Sequence, residues 1–356
     1  TLVGRDVAST WNVSNNNAGT VNDGTATLTF SNIANLTGGS ANDSFIIANA
    51  KSISGNLNGG SGTNSLNLSA YTTAVSVNLA AATATGIGGT FSNISNFIGS
   101  DTSTGTNSTL TGLNSASTWT VTAVNTGNIN SSAYTFSGFS SLVGGSAADS
   151  FILSGGSLTG SVNGSAGTDS LTADNVVNSW SITDNNTGSV TGIAGGFSAI
   201  ENLIGGTNND TFTFTDAKTI SGTINGGLGG VNIIDLSAYT TATNVTLSNA
   251  TATGYTGTTA GTPNPTAGFS NITRVKAAAA NANSLTLTND ASTVTLSSST
   301  AANGYTGTVV ANSATFNFDN FSTIAGGTGN NTLVGRDVAS TWNVSNNNAG
   351  TVNDGT

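Results

Sequence analysis

FSNIANLTGGSANDSFI, residues 30–46, is the stretch that decides the fold. Its parts return as FSNISNFIGSDTSTGTNSTL at 91–110, FSSLVGGSAADSF at 139–151 and FSAIENLIGGTNNDTF at 197–212. FSNITRVKAAAANANSL at 269–285 and FSTIAGGTGNNTL at 321–333 complete the set. The shared core is F-S-x-[IL], a short spacer, Gly-Gly or a substitute, then [DN]-[ST]-[FL]. Modules thus begin near residues 30, 91, 139, 197, 269 and 321, at uneven gaps. One idea repeated with insertions signals a solenoid or array, whose units bury their apolar faces by stacking on their neighbours.

A second repeat is longer and exact. TLVGRDVASTWNVSNNNAGTVNDGT occupies 1–25 and again 332–356. The expectation is a single continuous solenoid over 1–356, made of one 331-residue tandem period (332 minus 1) and a 25-residue overlap. The parent polypeptide is expected to carry near-identical copies in series, each period capping the one before, because an uncapped edge pairs with any strand it meets.

The Gly-Gly points act as a ruler. Gly38 and Gly59, Gly144 and Gly164, and Gly205 and Gly226 lie 20 or 21 residues apart. Gly59 to Gly99 and Gly164 to Gly205 are close to double that. Counted round the period, this predicts about 15 coils of about 22 residues each in an all-β parallel solenoid, advancing roughly 70 Å at about 4.8 Å per strand. TATLTF (25–30), TWTVTAV (118–124), SWSIT (179–183), TFTFTD (211–216) and SLTLT (284–288) alternate apolar and small polar residues, the period of a half-buried strand. Ala-rich AAATATG (80–86) and AAAANAN (277–283) read as tight corners in this setting, not as helices.

Composition excludes several functions. There is no Cys, no His and no Met, and only two Pro. Disulfide and thiolate chemistry are absent, and so are the commonest general base and transition-metal ligand. Six cations against 16 acids give a net charge of −10, which argues against nucleic acid. No apolar run reaches membrane-spanning length. Disorder is the competing reading of so much Gly, Ser and Asn, but the chain is nearly uncharged, Pro-poor and regularly patterned.

TLVGRDVASTWNV (1–13), the FSAIENLIGG run (197–206) and GNLNGGSGTN (55–64) resemble the repeats of giant secreted bacterial surface proteins, the filamentous-haemagglutinin-like adhesins and related β-strand-repeat proteins. The resemblance covers essentially the whole chain. It implies a right-handed parallel β-helix, secretion, an extracellular or cell-surface location, and a role in adhesion or biofilm matrix. The implied partners are adjacent copies of the same repeat and laterally packed identical rods. The alternatives are a glycan-binding adhesin stalk and a surface-layer protein.

The Gly-Gly segments also resemble degenerate repeats-in-toxin nonapeptides, G-G-x-G-x-D-x-U-x with U apolar. GGSANDSFI (38–46), GGSAADSFI (144–152), GSAGTDSLT (164–172) and GGTNNDTFT (205–213) keep the Asp, while GGSGTNSLN (59–67) and GGTGNNTLV (326–334) carry Asn instead. Asp43, Asp149, Asp169 and Asp210 are therefore calcium candidates, weighed against a turn in which Asx caps its own backbone. Asp149 and Asp169 are the best pair, because their 20-residue offset stacks them on successive windings. No other cofactor is expected.

Trp11, Trp119, Trp180 and Trp342 share one context, [ST]-W-x-[VI]-[ST]. With Phe30, Phe91, Phe139, Phe197, Phe269 and Phe321 they read as an internal aromatic stack, against the alternative of sugar-binding platforms. Tyr71 and Tyr239 recur in SAYTT and fit a corner. Catalysis has little to work with. Glu201, Arg274 and Lys276 stand out from the repeats, but no adjacent acidic pair exists and no enzyme is expected.

Overall fold

In Thr10–Asn15, alternation buries Trp11 and Val13 and leaves Thr10, Asn12 and Ser14 exposed. The same rule buries Phe45 and Ile47 of Ser44–Ile47. These two strands pair in parallel with Trp11 opposite Phe45 and Val13 opposite Ile47. Phe45 then faces Leu66, and Leu66 faces Phe97. One apolar row thus crosses four strands. Because the side-chain period is two, a one-residue slip would turn the whole row into solvent.

The computed structural model describes residues 1–101, 107–279, 282–300 and 303–355. Residues 102–106 of the second module and 280–281 of the Ala-rich stretch lie outside them. The chain is all-β, with large parallel and mixed sheets and no α-helix among the described residues. It divides into two compact units, residues 1–171 with 192–199 and residues 172–191 with 200–356.

The first unit contains the row just described and a second one, in which Trp119 of Thr118–Ala123 faces Phe151 of Ser150–Leu153. Leu2–Val3, Leu36–Thr37, Leu57–Asn58 and Phe91–Ser92 form a further parallel ladder. In the second unit, Trp180 faces Phe212, Phe212 faces Ile234, Ile234 faces Val275 and Val275 faces Phe318, every step parallel. The three Trp–Phe pairs repeat one geometry, with ring centroids 5.5, 5.5 and 5.3 Å apart and planes 19°, 21° and 19° from parallel.

Two features depart from the expectation. The first is winding length. Ser44 and Ser65, or Thr211 and Ile233, are parallel partners 21 and 22 residues apart. Thr10 and Ser44, Thr118 and Ser150, or Arg274 and Asn317 are partners 34, 32 and 43 residues apart. Short and long spacings are mixed in place of a uniform length of about 22.

The second departure explains the first. The long windings contain antiparallel meanders. Thr118–Ala123, Thr126–Ile129 and Tyr134–Ser137 run up, down and up. Thr10–Asn15 with Ala18–Asn22 and Thr27–Phe30 does the same, as do the triplets opening at Asn244–Thr251 and Ser292–Thr300. Asn at positive φ makes several of the tight turns, at Asn17, Asn125, Asn186 and Asn348, a conformation Asn tolerates better than other residues with a Cβ. A three-strand meander has outer strands that point the same way. Thr118–Ala123 therefore pairs in parallel with Ser150–Leu153 on one side, and Tyr134–Ser137 pairs in parallel with Asn96–Ile98 on the other. Two antiparallel steps thus interrupt the parallel ladder and restore its direction.

The aromatic stack is corrected at one member. Trp11, Trp119, Trp180 and the six module-opening Phe residues are buried, whereas Trp342 is 49% exposed. Trp11 is covered by Phe45, 34 residues further on. Trp119→Ala is therefore expected to cost about 3–5 kcal/mol, whereas Trp342→Ala costs less than about 1 kcal/mol. Denaturant melts of the two variants beside the parent check this contrast.

Candidate functional site

The recurring chemistry of the motif sits at its [DN] position. Asp43, Asn64, Asp149, Asp169, Asp210, Asn232 and Asn283 are all buried. Each lies just before a strand or, for Asp210, opens one, which brings its side chain under the backbone of a neighbouring strand layer. Asp43 Oδ1 accepts the Ser9 amide at 3.0 Å, and the Asp43 amide donates to Asn64 Oδ1 at 2.8 Å. Asp149 Oδ1 accepts the Ser117 amide at 2.8 Å, and the Asp149 amide donates to Asp169 Oδ1 at 2.7 Å. In the second unit Asp210 Oδ1 accepts from Asn178 Nδ2 at 2.7 Å, and the Asp210 amide donates to Asn232 Oδ1 at 3.1 Å. The structure thus stacks Asp149 over Asp169, and the bond between them runs from amide to carboxylate.

The other side-chain atom accounts for the choice of Asp or Asn. At Asp43, Asp149 and Asp210 the second oxygen accepts the amide of Gly39, Gly145 and Gly206, at 2.9, 2.7 and 3.0 Å. At Asn64, Asn232 and Asn283 the same place faces carbonyl oxygens. Asn64 Nδ2 donates to Ser61 and Asn93, Asn232 Nδ2 to Gly229 and Asn271, and Asn283 Nδ2 to Ala278 and Asn320. A donor on the neighbouring backbone calls for Asp, and acceptors call for Asn. The preceding Gly is required by space, since a Cβ on Gly144 would collide with the Gly164 carbonyl and the Asp149 carboxylate.

At three of the four calcium candidates these bonds engage the whole carboxylate. Both carboxylate oxygens of Asp43, Asp149 and Asp210 already accept hydrogen bonds. Among the described residues no group of three or more His, Cys, Asp or Glu could hold a metal. Burial pushes the carboxyls of Asp43, Asp149 and Asp210 above their ordinary range, although the N–H donors favour the ionised form. A raised folded-state value makes the contribution of each to stability greatest below the unfolded value, and that contribution is lost as pH rises through the folded one.

The residues that stand outside the repeats are also spent on structure. Arg274 holds Asp319 with two bonds, Nε to Oδ2 at 2.7 Å and Nη2 to Oδ1 at 2.9 Å. Lys276 Nζ meets Asp235 at 2.9 Å, and its hydrogen bond helps hold that carboxyl low against the opposing effect of burial. Glu201 accepts from Asn186 Nδ2. Tyr71 and Tyr239 are buried corner residues whose hydroxyls donate to the Lys51 and Lys218 carbonyls. Burial of Trp11, Trp119 and Trp180 removes them from any sugar-binding face.

The sequence pointed to the Asp positions and to Asn64, but not to the partners Ser9, Ser117, Asn178 and Asn232. The available signal was the free exchange of Asp for Asn at one motif position, which marks a hydrogen-bonding role and not a charge requirement. Compared with protein-family models, curated proteins and solved structures, the chain has no match.

Exchanging the two residue types should fail in both directions. Asp149→Asn sets an NH2 against the Gly145 amide, and Asn64→Asp sets a carboxylate against two carbonyls. Each is expected to cost about 1–3 kcal/mol at pH 7. The Asn64→Asp loss should shrink on acidification, as a protonated carboxyl regains a donor. Melts at pH 7 and pH 4 check both. Excess calcium chelator should leave the melting temperature of the parent unchanged, and a clear drop would favour the metal reading.

Proposed function

We propose that the chain is a structural section of an extracellular rod, a right-handed parallel β-solenoid from a giant tandem-repeat bacterial surface protein of the filamentous-haemagglutinin-like kind. The observation that carries this is the in-register parallel pairing of successive motif copies, with Trp or Phe and Asx superposed from one winding to the next. Such a stack gives stiffness through continuous backbone bonding between windings. The resemblance of TLVGRDVASTWNV and the F-S-x-[IL] modules to surface-protein repeats supports a location at the cell surface or in a secreted matrix.

The charges support a scaffold more than a catalyst. Five of the six cations are taken up by Asp partners: Arg5 by Asp23, Lys218 by Asp184, Arg274 by Asp319, Lys276 by Asp235 and Arg336 by Asp354. No helix among the described residues is long and apolar enough to cross a membrane. With few charges on the outer Thr, Ser and Asn faces, identical rods repel each other little, which favours lateral bundling.

Electron microscopy of native material tests the proposal. Rods with an axial repeat of roughly 70–90 Å are expected, from about 15 to 18 strand layers per period at about 4.8 Å each. Discrete globular particles would refute it, and a two-dimensional lattice would favour the surface-layer alternative.

A further inference from the structure

Val176, Val177, Leu228 and Val231 are 44%, 63%, 64% and 48% exposed. All four belong to the second unit and sit on stacked turns. Asn178 pairs with Asp210, its amide donates to the Asn209 carbonyl at 3.2 Å, and Asn208 Nδ2 donates to the Asn175 carbonyl at 2.8 Å. The turn carrying Val176 and Val177 therefore lies beside residues 207–209. The Val231 amide donates to Asn209 Oδ1 at 2.7 Å, and Gly227 comes so near the Gly206 carbonyl that a Cβ would collide with it. The turn carrying Leu228 and Val231 thus lies on the other side of the same residues. Four aliphatic side chains flank the exposed Thr207, Asn208 and Asn209 on one ridge.

Folding does not ask for aliphatic residues at these places, because the first unit builds the same turns without them. Gly59, Gly60 and Asn64 match Gly226, Gly227 and Asn232, and the two Asn side chains donate to corresponding carbonyls. Ser61 and Thr63 stand there where Leu228 and Val231 stand here. Between Gly164 and Asp169 the same places hold Ala166 and Thr168. Ser115 and Ala116 precede Ser117 and Trp119 as Val176 and Val177 precede Asn178 and Trp180. All six of these replacements are exposed. The turn needs its Gly and its Asx, while the outward positions accept Ser, Thr or Ala.

We infer that the ridge of Val176, Val177, Leu228 and Val231 is a lateral contact site for the same ridge of a second copy of this chain. This deepens the rod reading and rests on it. A contiguous apolar patch with a polar rim is the mark of an interaction surface. Charge selects the occupant. Residues 174–178, 206–210 and 226–232 contain no Lys or Arg, and the chain as a whole carries −10, which disfavours an anionic lipid surface. Asp210 is buried, and Asp174 at the edge of the ridge has its Oδ1 engaged by the Asn175 amide at 2.8 Å. An uncharged apolar ridge complements itself, which is what a like-with-like contact requires.

Size sets the strength. Four such side chains offer less than the ~800 Å² per partner that a stable complex buries. One ridge therefore makes a weak contact. Rods in which the ridge recurs with every period make many such contacts at once, and weak contacts in series add up to strong lateral adhesion.

Static light scattering of the full chain over a concentration series tests this through the second virial coefficient. The parent should show net attraction. The fourfold variant Val176→Ser, Val177→Ala, Leu228→Ser and Val231→Thr writes the first unit's residues into the second, and should associate roughly tenfold more weakly. Circular dichroism melts check that it folds as the parent does, and Leu228→Ser alone serves as the milder variant. Conversely, Ser61→Leu with Thr63→Val should strengthen association. A parent without attraction, or fourfold and Leu228→Ser variants that attract as strongly as the parent, would overturn the inference. So would binding of the parent to phosphatidylglycerol vesicles that the fourfold variant loses, since the ridge would then serve a membrane. Rods in micrographs of native material beside a negative scattering result would overturn the lateral contact alone. Globular native particles beside a positive one would overturn the rod reading alone.

Discussion

Parallel register between successive motif copies is the constraint on which everything else depends. Setting Phe45 opposite Trp11 does two things at once. It lays one ring on another in the interior, and it brings Asp43 two residues earlier under the Ser9 amide. The apolar row and the polar row are therefore locked to the same phase. A slip that preserved one would destroy the other, leaving either a Trp in water or a carboxylate buried without donors, and the second costs more than most single interactions contribute. The Gly ahead of Asp43, Asn64, Asp149, Asp169, Asp210 and Asn232 completes the lock by letting the adjacent backbone approach.

Low sequence complexity is compatible with this precision because the specificity is shared out. Most of the chain is Thr, Asn, Ser, Gly and Ala, which are interchangeable on an outer face. The few positions that are not interchangeable recur: one large aromatic, one Asx and one small residue at the turn. Ion pairs such as Arg274 with Asp319 decorate the outer face and neutralise the cations.

Much of this was legible in the residues. The alternation in TWTVTAV and SWSIT gave strands with Trp inside, and the [DN]-[ST]-[FL] motif located the corners. Burial of Phe30, Phe91, Phe139, Phe197, Phe269 and Phe321 agrees with their one-per-module recurrence. The meanders were hidden because alternation has the same period in parallel and antiparallel strands, so only the turn chemistry of Asn17 or Asn186 separated them. Uneven windings followed from the same blind spot, since Gly-Gly spacing counts residues and not the strands folded between them. Whether Asx meets an amide or a carbonyl depends on a backbone that can lie tens of residues away, which no local pattern contains. Trp342 departs from the other three Trp residues because identical sequence does not guarantee an identical neighbour.

Parallel register can be measured directly by cross-linking, since the chain has no native Cys. Ser44 and Ser65 are directly opposite in neighbouring parallel strands, about 4.8 Å apart and within disulfide range. Ser44→Cys with Ser65→Cys should oxidise readily to an intramolecular bond, while Ser44→Cys with Asn67→Cys, two residues out of register, should remain reduced. Efficient bonding of the offset pair, or no bonding of the matched pair, would contradict the parallel register.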